Sequence, residues 1–267
     1  SPVLFIFIYF YKFFNPKLLI HIKNEKKIFN KVLRNIDSKK KLLIFHAASA
    51  GEFEQLKPLL KKINRSKYYI LQTFTSPTVY KQQSDSKLFD ACCYHPFDFI
   101  WQSYSFFKKL RPYKYIITRH DLWPNHIVIC KALGISIYFI NANIHENSIW
   151  SNPILRYFSR FIFKKINYIF VPSRRIKNNV VLLNSNAKIT GDSRFDQILD
   201  RKENNSLSFS NDKYYKTHNI VFGSYDSVDE QLILLRLKKI FPNGSADLLE
   251  KNISIFLVPH EVNKNEI

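Results

Sequence analysis

From residue 41 onward the chain alternates short, continuously apolar runs with longer segments of helical periodicity, which commits it to a parallel sheet covered by helices. The runs are Leu42-Leu43-Ile44-Phe45, Tyr69-Ile70-Leu71, Tyr115-Ile116-Ile117, Ile135-Ser136-Ile137-Tyr138-Phe139-Ile140 and Tyr168-Ile169-Phe170-Val171. Strands of this kind are apolar on both faces because crossover helices cover both sides of a parallel sheet. Glu52 to Ile63 reads as the helix after the first strand. The periodicity lapses between Asp200 and Asn219, where Arg201-Lys202-Glu203-Asn204-Asn205 and Asn211-Asp212-Lys213 read as a linker. A new strand, Asn219-Ile220-Val221-Phe222, opens a second unit that reaches Ile255-Phe256-Leu257-Val258. Two domains fit a chain of 267 residues, since single cores stop growing near roughly 250 residues. Two strands are too few to close an α/β domain and Ser1 is not a start residue, so the expectation is a chain cut at both ends.

The apolar fraction of 46% excludes disorder, while five glycines and no methionine are unusual for a whole protein. A formal charge of +20 draws anionic partners: nucleic acid, anionic membrane or a phosphorylated substrate. Charge alone does not choose among them, and abundant Lys, Asn, Ile, Phe and Tyr also fit a biased genome in which many lysines are merely solvated. Cys92, Cys93 and Cys130 form no C-x-x-C pair, which points to a reducing compartment. His46, His95, His120, His126, His145 and His260 follow no ligand spacing, so no metal is expected.

The opening run Val3 to Tyr11 is intensely apolar but stops short of the roughly 20 residues a spanning helix requires. Nine basic side chains follow between residues 12 and 40, against Glu25 and Asp37. An apolar run with a basic flank reads as part of an anchor at residues 1–25, held with its charge on the cytoplasmic side. A buried first helix of a soluble domain is the competing reading. From Asn147 to Gly191 no acidic residue occurs, and Arg156, Arg160 and Lys164 recur every four residues beside Tyr157, Phe158, Phe161 and Phe163. That stripe fits a helix on an anionic membrane or a plain solvated face; an RNA-binding helix fits less well because no nucleic-acid motif accompanies it.

Ligands of open α/β sheets bind outside the carboxyl ends of the strands, so polar clusters after the runs are the candidate sites. The first is His46-Ala47-Ala48-Ser49-Ala50-Gly51-Glu52-Phe53, where Gly51 permits close approach of a ligand. Ser49-x-x-Glu52 is also a capping box, and on spacing alone capping is the simpler role. The two roles conflict, because a helix N-terminus lowers a carboxylate's pKa and weakens it as a base. Further clusters are Thr73 to Thr78, Tyr94 to Asp98, Arg119 to Asn125 and Asn141 to Ser148. Each alone could be a turn or cap; their succession at strand ends reads as a shared rim. Gly191-Asp192-Ser193-Arg194-Phe195-Asp196 and Gly223-Ser224-Tyr225-Asp226 offer backbone donors of the phosphate-binding kind. Neither is a P-loop or a G-x-G-x-x-G, which disfavours ATP and NAD.

In this order, His46-Ala-Ala-Ser-Ala-Gly-Glu52-Phe53, Thr73-Phe-Thr-Ser-Pro77, Tyr94-x-Pro96-x-Asp98, Asp121-Leu-Trp-Pro-Asn125, Asn141-Ala-Asn143 with Ser148, Gly191-Asp-Ser-Arg-Phe-Asp196, Gly223-Ser224 with Asp229-Glu230, and Pro259-His260 resemble the 3-deoxy-D-manno-octulosonic acid (Kdo) transferases of lipopolysaccharide assembly. The resemblance covers about residues 14 to 261 and implies a GT-B glycosyltransferase with two Rossmann-like domains, the second truncated: acceptor domain 26–200, linker 201–218, and the start of a nucleotide-sugar domain at 219–267. It implies that Glu52 is the catalytic base, which outweighs the capping reading. It implies an acceptor site at Ser49, Gly51, Thr75, Ser76, Asp121, Asn125 and Asn143, and a donor site at Gly191, Asp192, Arg194, Gly223, Ser224, Glu230, Pro259 and His260. The implied partners are CMP-Kdo as donor substrate, a lipid A precursor as acceptor and the anionic inner membrane at its cytoplasmic face, with no cofactor, metal or nucleic acid. Two departures mark a variant subfamily: Arg119 stands where the pattern has a glutamate, and no arginine separates Pro259 from His260. Competing readings are a GT-B enzyme with another nucleotide sugar, and an inert basic membrane- or RNA-binding derivative.

Overall fold

The computed structural model describes residues 14–204 and 216–259, and the chain divides after Asn204 into two compact units. In the first, parallel strands β1 (Lys41–Ala47), β2 (Tyr68–Phe74), β3 (Ala91–Tyr94), β4 (Lys114–Thr118), β5 (Ser136–Ile140), β6 (Tyr168–Val171) and β7 (Ala187–Ile189) pair in the order β3-β2-β1-β4-β5-β6-β7. The order reverses between β1 and β4, which makes that crevice the expected ligand site of a doubly wound fold. The five apolar runs are all strands. The edge strands β3 and β7 carry no such signature: β3 is Ala-Cys-Cys-Tyr, and β7 is three residues long.

Helices α1 (Pro16–Asn35), α2 (Ala50–Lys61), α3 (Pro77–Gln83), α4 (Ile100–Leu110), α5 (Pro124–Ala132), α6 (Arg156–Phe163), α7 (Arg174–Val181) and α8 (Ser193–Asn204) cover the sheet. Their starts follow local chemistry. Asn15, Ser49, Ser76 and Ser173 accept first-turn amides, and Pro16, Pro77 and Pro124 sit where a missing N–H costs nothing. Successive β1 side chains face opposite cores: Leu42 and Ile44 join one with Tyr115, Ile117, Phe107 and Phe139, whereas Leu43 and Phe45 join the other with Phe53, Leu56 and Phe74. Each such fully buried aliphatic contributes about 1.5–3 kcal/mol, so the sheet is clamped from both sides.

Two expected boundaries move. The 25/26 boundary falls inside α1, which runs unbroken from Pro16; its buried His21 stacks on Tyr94 with ring centroids 4.6 Å apart and bonds Thr75 O through Nδ1 at 3.0 Å. The apolar run over residues 3–11 lies outside the described residues, and among the described ones no helix is long and apolar enough to cross a membrane. The linker expected from 201 begins later, because α8 continues to Asn204, tied down by Arg201 Nη2 at 2.5 Å from Glu54 Oε2. In the second unit β8 (His218–Tyr225) pairs in parallel with β9 (Ile253–Pro259), with α9 (Ser227–Ile240) and α10 (Ser245–Glu250) between them.

One cap is supplied from a distance. Trp123, at the N-cap of α5, offers no side-chain bond; the Asp98 carboxylate instead accepts Asn125 N at 3.2 Å and His126 N at 3.0 Å, and its Oδ1 lies 2.9 Å from Nδ1 of fully buried His126. The expected Tyr94-x-Pro96-x-Asp98 and Asp121 to Asn125 segments are thus one structural unit. Asp98→Ala is expected to cost about 2–4 kcal/mol in urea unfolding, since it strands several buried donors at once; a loss below about 1 kcal/mol would assign the cap elsewhere.

Candidate active site

The parallel register sets His46 level with Thr73 on one side and Ile117 on the other, at the carboxyl end of the sheet. His46 has no solvent exposure. Its Nδ1 lies 2.9 Å from Thr73 Oγ1, and its Nε2 lies 2.5 Å from Asp121 Oδ2, so the imidazole joins the end of β2 to the loop after β4 across the reversal point. The His95 ring packs at 3.8 Å from that of His46 and 4.5 Å from that of His126, while His95 Nε2 lies 2.8 Å from the Tyr115 hydroxyl. Burial, with the neighbouring imidazoles His46 and His126, holds His95 well below the ordinary histidine range. It is therefore neutral at physiological pH. Sequence spacing hid this stack, because residues 46, 95 and 126 meet only through strand pairing.

Glu52 occupies the first turn of α2 and is 6% exposed. The capping box is real: Ser49 Oγ accepts Glu52 N at 3.3 Å, and Glu52 Oε2 accepts Ala48 N at 2.6 Å and Ser49 N at 3.2 Å. Both bonds to the carboxylate fall on Oε2; Oε1 makes none among the described residues. Despite these donors the Glu52 pKa is raised, chiefly by burial; the Ala48 N–H works against this, the Asp121 charge adds to it, and His46 opposes it. The expected conflict between capping and basicity is resolved by desolvation, which outweighs the helix terminus. Asp121 goes the other way. Burial would raise it, but the hydrogen bond and charge of His46 hold it below the usual carboxylate value. The two neighbouring carboxyls are thus pushed apart in proton affinity, one up and one down.

The remaining rim residues divide. Ser49 caps α2, and a side chain at Gly51 would meet nothing within 4 Å apart from its chain neighbours. Thr75 keeps a buried hydroxyl without a partner among the described residues, while Ser76 caps α3. Asn125 is committed elsewhere: its Nδ2 donates to Asp98 O at 2.6 Å. Asn143 N donates to Arg119 O at 3.3 Å, joining the loops after β4 and β5, and Arg119 holds a left-handed backbone at φ 63.

The Gly191 to Asp196 segment belongs to the first unit, at the end of β7. Gly191 takes φ 85, a conformation that favours glycine. Asn141 and Ser193 exchange bonds of 2.8 and 3.3 Å, and Ser193 Oγ donates to Gln55 O at 2.7 Å, so this segment is fastened to the helix that carries Glu52. Burial opposes ionisation of Asp192, but Arg194, gripping Oδ2 through Nε and Nη2 at 2.9 and 2.6 Å, and then Arg119 hold it below the usual value.

In the second unit Gly223, Ser224 and Pro259 gather at the carboxyl ends of β8 and β9, where Tyr225 pairs with Pro259 after a bulge at Ser224, φ 61. The Asp226 carboxylate already accepts Val228 N and Asp229 N at 2.9 Å each. The first-turn amides of α9 thus face a carboxylate in this structure. Glu230 lies exposed in the same turn, and His260 is outside the described residues.

The first unit is a doubly wound α/β fold whose polar motifs gather where the strand order reverses. Residues 21–197 match the family model described as 3-deoxy-D-manno-octulosonic-acid transferase (kdotransferase), and the chain belongs to that family. No curated protein matches the sequence. Among solved structures, S. aureus MnaA in its co-structure with UDP aligns with TM-score 0.55 at 12% identity, covering 85% of this chain and 64% of that one. The UDP-GlcNAc 2-epimerase from Neisseria meningitidis bound to UDP-GlcNAc gives 0.54 at 15% identity over 84% and 73%, and the UDP-N-acetylglucosamine 2-epimerase from Rickettsia bellii 0.51 at 10% over 82% and 62%. At these identities the likeness is one of fold, and the chain spans less than two thirds of the S. aureus protein's length.

Because burial raises the Glu52 pKa, the stability that its protonated form confers is full below the unfolded-state value near 4.5 and is lost as pH rises through the higher folded value. Glu52→Gln removes this titration while keeping an acceptor for Ala48 N. Between about pH 4 and pH 8 its stability should fall less than the wild type's, as read by urea unfolding at each pH; equal slopes would show that Glu52 is not desolvated.

Proposed function

We propose that the protein transfers Kdo from CMP-Kdo to the sugar of a lipid A precursor, with Glu52 as general base, at the cytoplasmic face of the inner membrane. Family membership supports the donor and acceptor classes. The carrying observation is Glu52 itself: a buried carboxyl of raised proton affinity, anchored through Oε2, with Oε1 unengaged, at the point where strand order reverses. A base is most effective when its pKa approaches the working pH, and burial moves Glu52 in that direction.

In this reading the acceptor hydroxyl enters beside Gly51 and gives its proton to Glu52 Oε1 as its oxygen attacks the anomeric carbon of Kdo. The bond from that carbon to the CMP phosphate oxygen breaks, and CMP carries away the electron pair, so configuration inverts in a single displacement. Asp121, held ionised by His46, adds the negative charge that keeps Glu52 basic. The anchored Oε2 prevents the carboxylate from rotating away during transfer.

With the full-length protein, CMP-Kdo and tetraacylated lipid A precursor, Glu52→Ala should lower turnover by about 10²–10⁴-fold while circular dichroism keeps the wild-type form, at a cost of about 1–3 kcal/mol in unfolding as Ala48 N and Ser49 N lose their acceptor. Near-normal turnover by that variant would refute the assignment. Transfer by the wild type only from a different nucleotide sugar would replace the donor.

A further inference from the structure

Arg119, one of the two departures from the family pattern, stands in the rim with no structural use for its charge. It directly follows β4. Its left-handed backbone, φ 63, is held by Arg119 N donating to Ile140 O at 3.0 Å and by Asn143 N donating to Arg119 O at 3.3 Å. Glycine or asparagine takes this conformation more readily, so the backbone does not select arginine. No ion pair selects it either: the half-buried side chain makes no hydrogen bond or salt bridge among the described residues. Asp121, two residues on, is taken by His46, and Asp192 is gripped by Arg194.

The surroundings concentrate positive charge. Asn143 joins the loops after β4 and β5, and the bonds between Asn141 and Ser193 join the loop after β5 to the segment after β7. Arg119 and Arg194 therefore share Asp192, one through its charge and the other through hydrogen bonds, so that two guanidiniums face one carboxylate. His120 and His145, both exposed, belong to the same cluster. Burial, then the charges of Arg119 and His145, hold His120 below the ordinary histidine range, against a backbone hydrogen bond at Asn143. Beyond His145, a hollow of about 250 Å³ is lined by Arg175 and Glu146 together, which leaves the balance unchanged. Cations gathered in this way repel one another, and an anion set among them relieves the repulsion. A guanidinium presents its donors as a planar fork that matches a carboxylate or a phosphate.

We infer that Arg119, assisted by His120, His145 and Arg194, binds an oxyanion group of a substrate, a carboxylate or a phosphate, in the rim that carries Glu52. The chain fixes that position. Asp121, whose charge acts on Glu52, is two residues from Arg119, and Ser193, next to Arg194, bonds Gln55 O on the helix of Glu52. This deepens the proposed function and rests on it for the identity of the substrate, whereas anion binding itself is independent of transfer. With no such ligand, Arg119 would be only a through-space counter-ion of Asp192.

Histidine-selective NMR of the full-length protein reads the site without turnover. Inorganic phosphate, titrated near neutral pH, should move the His120 and His145 signals saturably in the wild type. Arg119→Gln should weaken that response about tenfold or more, and Arg119→Lys should restore part of it. Lys87→Gln, at an exposed position before edge strand β3, should leave it unchanged. No saturable response, an equal response in Arg119→Gln, or an equal loss in Lys87→Gln would each overturn the proposal, the last by showing a general effect of net charge. In steady-state assays Arg119→Gln should raise one KM about tenfold with kcat within about twofold of wild type. A raised KM for CMP-Kdo assigns the oxyanion to the donor, and a raised KM for the lipid A precursor assigns it to a phosphate of the acceptor. Unchanged KM values with lowered thermal stability would reduce Arg119 to a counter-ion of Asp192 and sink the inference. Phosphate binding that depends on Arg119, with no transfer from CMP-Kdo by the wild type, would leave the oxyanion site standing and remove the enzymatic reading.

Discussion

The hydrogen bond between His46 and Asp121 crosses the sheet where its strand order reverses, and the site is built around it. Taking an imidazole out of water is costly unless both its nitrogens find partners. Thr73 provides one from β2 and Asp121 the other from the loop after β4, on either side of β1. The same bond holds Asp121 ionised in a largely buried setting, and that charge helps to keep Glu52 basic. The histidine therefore links a packing constraint to an acid–base property.

The first turn of α2 shows that a structural and a chemical role can share one carboxylate. Helix-terminal N–H groups ordinarily favour the charged form of an acid by about 0.3–1 kcal/mol. Each unit of pKa shift corresponds to about 1.4 kcal/mol, so modest burial suffices to reverse the sign, as it does at Glu52. The division between the two carboxylate oxygens makes this workable. One is consumed in holding the helix start, and the other makes no hydrogen bond among the described residues.

Much of the first unit was legible in the sequence for identifiable reasons. Five strands announced themselves because a parallel strand buried on both faces must be apolar at every position, as Leu42 to Phe45 are. Helix starts were legible at Ser49 and Ser76, where the capping side chain lies next to the helix it serves. The cap on α5 was not, because its carboxylate comes from Asp98, 27 residues before Asn125. The edge strand β7 escaped notice because three residues pairing on one side need no apolar run. Likewise the end of α8 was read as linker, since its polar residues are held by ion pairs to α2 rather than by apolar periodicity.

The sequence by itself determined the α/β class, the division into two units and the strand-end positions of the polar motifs, because these follow from local hydrophobic pattern and turn chemistry. It also placed Glu52 at a helix start. Only the tertiary structure decided that His46, His95 and His126 form one buried stack, that Asn125 is spent on Asp98, and that Asn141 ties the Gly191 segment to α2 through Ser193. Those outcomes depend on strand order and register, which bring together residues some 30 to 80 positions apart. The proton affinity of Glu52 is of the same kind: desolvation is a property of the packed surroundings, and no stretch of sequence around a residue states how much water will be left beside it.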